Sequence, residues 1–313
     1  MIKQNDLKKL RTVSIRSRTS KVSVKDFAKP GKLPAGLSKK LFRLIPPINF
    51  GADFHKLVAL IKKAKKKKKP VIFMFGAHVI KCGLSPVVID LMRRGYITAL
   101  ATNGASIIHD FETAYCGKTS EIVDKELGKG TFGITKETAE FVNSIAVDAA
   151  REDAGIGYMA GRKINTARLK HRDNSIFAQA YRLKVPMTSH IAIGTDVVHQ
   201  HPNFDGACWG KASQSDFLKL CNQIKGLGGG GVVLNFGSAV ILPEVFLKAL
   251  NLCRNLGYNA TGFTAANFDM IKHYRPITNI VNRPTMSGGH GFNFIGHHEF
   301  MLPLLYAGVT SGK

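Results

Sequence analysis

The chain has 313 residues, 44% of them hydrophobic, with 31 glycines and a formal net charge of +24. It can bury one large core, and it offers no apolar run near the roughly eighteen residues of a membrane span and no charged-then-apolar leader. Cys82, Cys116, Cys208, Cys221 and Cys253 are odd in number and lack CxxC spacing, which argues against a disulfide framework and for a reducing, cytoplasmic setting.

Residues 1–40 carry twelve Lys or Arg against two Asp, and residues 61–70 add seven lysines. No aromatic interleaving, zinc-finger spacing or RNA-binding motif accompanies them, so a solvated basic surface is expected rather than a nucleic-acid module. Residues 1–45 read as a basic N-terminal arm, broken at Pro30 and Pro34, that packs on a neighbouring subunit and is unordered at its very start. Residues 46–313 read as a single α/β ligand-binding domain.

Phe54, Leu57, Leu60 and Ile61 recur at helical spacing over 54–69, ahead of the lysine run. Residues 71–75 form a buried strand, 86–94 a helix and 96–101 a second strand. Strands this apolar must be covered on both faces, which predicts a doubly wound, mostly parallel sheet. Ala77 and His78 after the first strand, and Thr102, Asn103 and Gly104 after the second, are candidate contacts to phosphate or ribose. Plain βα turns are the alternative, since GxGxxG is absent. His109, Asp110 and Glu112 cluster at helical spacing, either as an ion-binding group or as a cap with solvated acids.

Residues 117–135 are a glycine-rich, charged excursion placed over a cleft. An amphipathic helix over 136–155 is expected to bury Phe141, Ile145, Val147 and Ala150, with Asn143 and Asp148 facing elsewhere; 155–161 breaks it, and 175–184 is helical again. The strand 185–191 leads to Thr195 and Asp196, candidates for ribose or amine contact, and to His199, His201 and Asp205, which carry acid, base or metal-ligand atoms. A helix over 215–227, a glycine turn and a buried strand over 232–234 follow. Asn235 and Ser238 bring polar groups to that strand end, and Phe246, Leu250 and Cys253 share the core face of the next helix. Asn267 and Asp269 lie where a nucleotide or substrate is read. In the tail, His290, His297, His298 and Glu299 invite a metal interpretation, although HHE is not HExxH. Glu299 is placed near the start of the final helix. His199, His201 and His290 are the candidate proton carriers.

Over roughly residues 70–285 the chain resembles the deoxyhypusine synthase family. GAHVIKCGLSPVVIDLMRRGYITALATNGA is similar to that family's early strand, ligand loop, helix, strand and Thr-rich turn, SIFAQAYRLKVPMTSHIAIGTD to its middle helix and Thr-Asp loop, and GFTAANFDMIKHYRP to its late nucleotide-contact region. The resemblance implies an NAD-binding fold assembled as a homotetramer, with Ala77, His78, Thr102, Asn103, Gly104, Asp196, Ala266, Asn267 and Asp269 on the nucleotide side. That family transfers the butylamine part of spermidine to a protein lysine, using NAD to oxidise and later reduce the amine. Its active lysine lies in a Trp-Gly-Lys segment after an Arg-Pro pair, whereas after Arg275 and Pro276 this chain has Asn282, Arg283 and Pro284 at the matching place, which cannot form a lysine imine. In place of the family's later lysine and paired histidines stand Ile241, Leu242 and Pro243. The expectation is a divergent NAD-dependent enzyme acting on a small amine or alcohol. The alternative is a non-redox small-molecule-binding or metal-dependent enzyme on the same fold, with a cation bridging His199 or His201 to Asp205 or the His297 region.

Overall fold

The computed structural model describes residues 4–30, 34 and 36–311; the expectation for the extreme N-terminus falls on residues 1–3, outside the described residues. Six strands form the central sheet: β1 (Val71–Phe75), β2 (Ala99–Asn103), β3 (Met187–His190), β4 (Val232–Phe236), β5 (Thr264–Asp269) and β6 (His290–Ile295). All neighbouring pairs are parallel, and the order across the sheet is β3-β2-β1-β4-β5-β6. The chain winds outward from β1 to β3, then returns to the centre and builds the other half from β4. Such a reversal leaves a crevice at the carboxyl ends of β1 and β4.

Every residue of β1 and β4 is buried, so both faces need covering. The principal helices are α1 (Asn49–Lys66), α2 (His78–Lys81), α3 (Ser85–Arg93), α4 (Gly104–Cys116), α5 (Lys136–Arg151), α6 (Ile156–Thr166), α7 (Ile176–Arg182), α8 (Gly206–Ile224), α9 (Ile241–Asn255) and α10 (His298–Thr310). On one face Leu57 and Ile61 of α1 and Leu302 of α10 join the core beneath Phe73 and Phe236. On the other, Leu220 and Ile224 of α8 and Phe246 and Leu250 of α9 cover Ile72, Met74 and Val233.

The carboxyl ends of β4, β5 and β6 repeat one dipeptide at one register: Asn235-Phe236, Asn267-Phe268 and Asn293-Phe294 lie side by side. Alternation along a strand sends neighbours to opposite faces, so one face carries a phenylalanine row and the other an asparagine row. Phe236 and Phe268 stack at 4.2 Å between centroids, and Phe268 and Phe294 at 4.8 Å. Across the other face, Asn235 Nδ2 donates to Asn267 Oδ1 at 2.8 Å and Asn267 Nδ2 to Asn293 Oδ1 at 2.9 Å.

Several expectations need correction. Residues 156–166 are helical, not a break: Gly157 and Gly161 are there because a Cβ would run into the carbonyl oxygens of Met187 and Phe177. Asn143 does not face elsewhere; it is buried, donating to Val198 O and accepting from Trp209 Nε1. Val147, expected inside, is 41% exposed. Within one chain, Ser20–Ser23 of the arm pairs antiparallel with Lys118–Glu121, and Val13 N donates to Ile134 O.

Candidate functional site

At the reversal between β1 and β4 the backbone of one loop touches that of the other. Gly76 N donates to Phe236 O at 2.9 Å, and a Cβ on Gly76 would strike the carbonyl oxygen of Gly237. Gly237 has φ +65°, a conformation that favours glycine, and a Cβ there would strike Nε2 of His298. His298 is therefore seated directly over the crevice floor, buried, with Nδ1 unpartnered. Ala77 and His78 are half-buried beside it, the His78 ring 5.7 Å from that of His298. Burial holds both imidazoles below the ordinary histidine value, leaving them neutral near pH 7. Ser238 is buried at the same rim; its Oγ accepts from Leu242 N and its carbonyl from Asn235 Nδ2.

The β2 side is built differently. Thr102 is fully buried, its hydroxyl bonded to Phe75 O and Ser106 Oγ, which makes its side chain a structural tie. Asn103 caps α4, accepting from Ser106 N. Gly104 lacks a side chain because the Asp196 carboxylate occupies the place of its Cβ. Asp196 in turn caps the turn Val197–Gln200, while Nδ1 of His199 accepts from Asp196 N at 3.2 Å and Gly194 N at 3.0 Å. The His199 proton thus sits on Nε2, 3.8 Å from Asp196 Oδ2. Burial pushes the Asp196 carboxyl up to about 6.

A cavity of about 190 Å³ opens between these elements and the wall formed by residues 118–135, lined among others by Arg18, Lys81, His109, Glu112, Glu121 and Asp196. Glu112 is held by Arg18 Nη2 at 2.7 Å, Thr119 Oγ1 at 2.6 Å and Thr138 Oγ1 at 3.0 Å. His109 Nδ1 shares a 2.7 Å hydrogen bond with Thr119, and burial lowers that histidine to about 4. Asp110 turns away to hold the start of α7 through Ser175 and Ile176 N, and burial pushes it up to about 7. A larger groove of about 790 Å³, lined by Tyr158, Tyr181, Pro186 and Lys219, lies at the amino end of β3, away from the sheet edge where α/β ligands bind.

None of the expected proton carriers lines the cavity itself; His199 reaches it through Asp196. His201 is buried with Nε2 bonded to Gly133 O at 2.9 Å. His290 begins β6 and so lies at the amino edge, on the order of 17 Å of strand from the crevice. Asp205 caps α8 through Cys208 N, and among the described residues its carboxylate does not converge with His199 or His201 into a group of metal-ligating atoms. Ala266 is sealed in the core beneath the phenylalanine row. Sequence reasoning missed Arg18, Lys81 and Asn293, although the repeated Asn-Phe pair was a visible signal for the last.

No protein-family model and no curated protein sequence matches the chain. Solved structures do. The complex of AgrE with ornithine and NAD+ matches with a TM-score of 0.53 and 16% identity over 87% of this chain and 33% of that one. ArgZ, an arginine dihydrolase from the ornithine-ammonia cycle in cyanobacteria, matches with 0.51 and 16% over 85% and 34%. A protein assigned as a deoxyhypusine synthase from Entamoeba histolytica matches with 0.50 and 12% over 84% and 88%. The fold is deoxyhypusine synthase-like. The chain spans about a third of the length of AgrE and ArgZ. In this fold Ala77, His78, Ser238 and Asp269 gather at the carboxyl edge of β1, β4 and β5, and Asn103, Gly104 and Asp196 at that of β2 and β3. Where a lysine was sought, Ile277–Asn282 form a π-helical turn and Arg283 donates to Asn279 Oδ1 at 3.1 Å.

Proposed function

We propose that the chain is a divergent deoxyhypusine synthase-like, NAD-dependent enzyme that acts on a small amine or alcohol without a lysine-bound intermediate. The observation that carries this reading is the crevice at the β1/β4 reversal, floored by Gly76 and Gly237 and adjoined by a cavity holding Asp196. Ala77, His78, Asn103, Gly237 and Ser238 would hold the dinucleotide, with Asn235, Asn267 and Asp269 supporting them. Bound NAD would accept a hydride from the substrate carbon.

The remaining work falls to the chain's own residues. Asp196, pushed up to about 6 by burial, lines the cavity, so it takes the proton from the substrate nitrogen or oxygen. His199 positions Asp196 by accepting the backbone amides of its turn. The named lining holds three carboxylates against two cations, Arg18 and Lys81, a balance that favours an amine once the acids are ionised. A homotetramer belongs to the same reading, supported by the exposed Val240, Ile271, Tyr274 and Phe300 around the carboxyl edge. A reducing cytoplasm belongs to it too and suits the free cysteines.

Calorimetry and native mass spectrometry with added NAD+ test the cofactor; no binding and no retained nicotinamide nucleotide would end the hydride reading. Asp196→Asn is expected to lower kcat by about 100-fold or more with NAD+ affinity little changed. The wild-type rate should rise as pH passes about 6 and Asp196 loses its proton.

A further inference from the structure

We propose that His78, Cys82 and Glu299 form a cation site of the zinc class beside the crevice. His78 opens α2 and Cys82 caps it one turn later, so their side chains project from one face of that turn. Glu299 arrives from the far end of the chain, in the first turn of α10, next to the His298 that rests on Gly237. One ligand atom from each of the three lies within 4.8 Å of the other two. A tetrahedral ion bound by nitrogen, sulfur and oxygen sets its ligands about 3.3–3.8 Å apart. Closing that difference takes small rotations, and Glu299 is exposed and free to make them.

The surroundings suit a cation. Asp269 Oδ2 and His298 Nδ1 are buried with no hydrogen-bond partner. Thiolate with imidazole selects zinc over magnesium or calcium, which take oxygen donors. Three protein donors leave a fourth position for water or for a substrate nitrogen or oxygen.

Without a cation the Cys82 sulfur carries its proton, as an ordinary thiol does at neutral pH. Binding therefore breaks the S–H bond, forms metal–sulfur, metal–nitrogen and metal–oxygen bonds, and releases one proton to solvent, with no change of oxidation state. Affinity rises with pH accordingly.

The site shares His78 with the proposed dinucleotide contacts, its ring serving the ion, and its test needs no NAD+. Full-length protein stripped of metal and titrated with Co²⁺ should take up one ion per chain, with a thiolate-to-metal charge-transfer band and the visible absorption of a tetrahedral ion. Zn²⁺ should displace it. Cys82→Ser should abolish the charge-transfer band, and His78→Ala and Glu299→Gln should weaken Co²⁺ binding by more than about tenfold, since changing even a ligand's hydrogen-bond partner does as much. Cys116→Ser should leave the spectrum unchanged. Circular dichroism identifies any variant that fails to fold, and the exposed Glu299→Gln then decides. A band that survives Cys82→Ser, or no bound Co²⁺ in the wild type, overturns the site. Metal uptake without NAD+ binding would overturn only the hydride reading, and NAD+ binding without metal only this one.

Discussion

The two faces of the sheet at β4, β5 and β6 are made from the same three dipeptides yet held by different forces. On the phenylalanine face, Phe236, Phe268 and Phe294 stack in a row closed by Phe50 and Phe54, whose rings meet Phe294 edge-on at 4.7 and 5.5 Å. Burial of aromatic area drives this face, and it tolerates small displacements. On the asparagine face each amide donates to the next, and a one-residue slip would leave every donor stranded against apolar neighbours. One face supplies stability; the other fixes the register. The row ends on Asn235 Oδ1, which is buried and unpartnered next to Ser238, at the rim of the crevice.

The largest effect is expected from Phe268→Ala, which empties the middle of the aromatic row and should lower stability to urea by about 3–5 kcal/mol. Asn267→Ala should remove about 1–3 kcal/mol by stranding Asn235 and Asn293, and the double change with Asn235→Ala should cost less than the sum of the single changes. Equal, additive losses in the two rows would break the contrast.

A smaller effect appears in the pH dependence of unfolding. His190, on the asparagine face and bonded to Thr188, is held down to about 4 by burial. Its contribution is present above the unfolded value of about 6.5 and is lost as pH falls toward 4. Asp216, bonded to Gly157 N and Ser189 N, is pushed up to about 7 by burial, so its stabilising protonated form is lost as pH rises from about 4 to 7. Asp110 acts in the same sense as Asp216, and His109, held down to about 4, in that of His190. The opposed terms should leave the wild-type melting temperature nearly flat across that window. Asp216→Asn should tilt it upward with pH and His190→Asn downward; parallel profiles for both variants would refute the assignment.

The sheet was legible because its strands are short apolar runs bounded by glycine and polar turns: β1 was read at its observed limits, and Phe246, Leu250 and Cys253 are buried as expected. β6 escaped because half of it is exposed, and only the alternation of Phe292 and Phe294 marks it. The helix through Gly157 and Gly161 escaped because glycine at a tight helix contact looks like glycine at a break. In the site, Asp196 and His78 stood out as polar residues at strand ends. Nothing local to Glu299 names Cys82 as its neighbour, nor does anything near Arg18 reveal that it is 4% exposed, clasped between Glu112 and Glu121. Contacts between distant stretches of chain have no periodicity to betray them.

Arg18 also fixes an order of events. It lies 94 residues before Glu112, and the strand that follows it, Ser20–Ser23, pairs among the described residues with Lys118–Glu121 alone. The six-stranded sheet includes neither segment, so this wall of the cavity is expected to close late in folding, because its contacts join stretches so far apart in the chain. Amide exchange should reverse that history, with the arm and residues 118–121 exchanging well before β1 and β4.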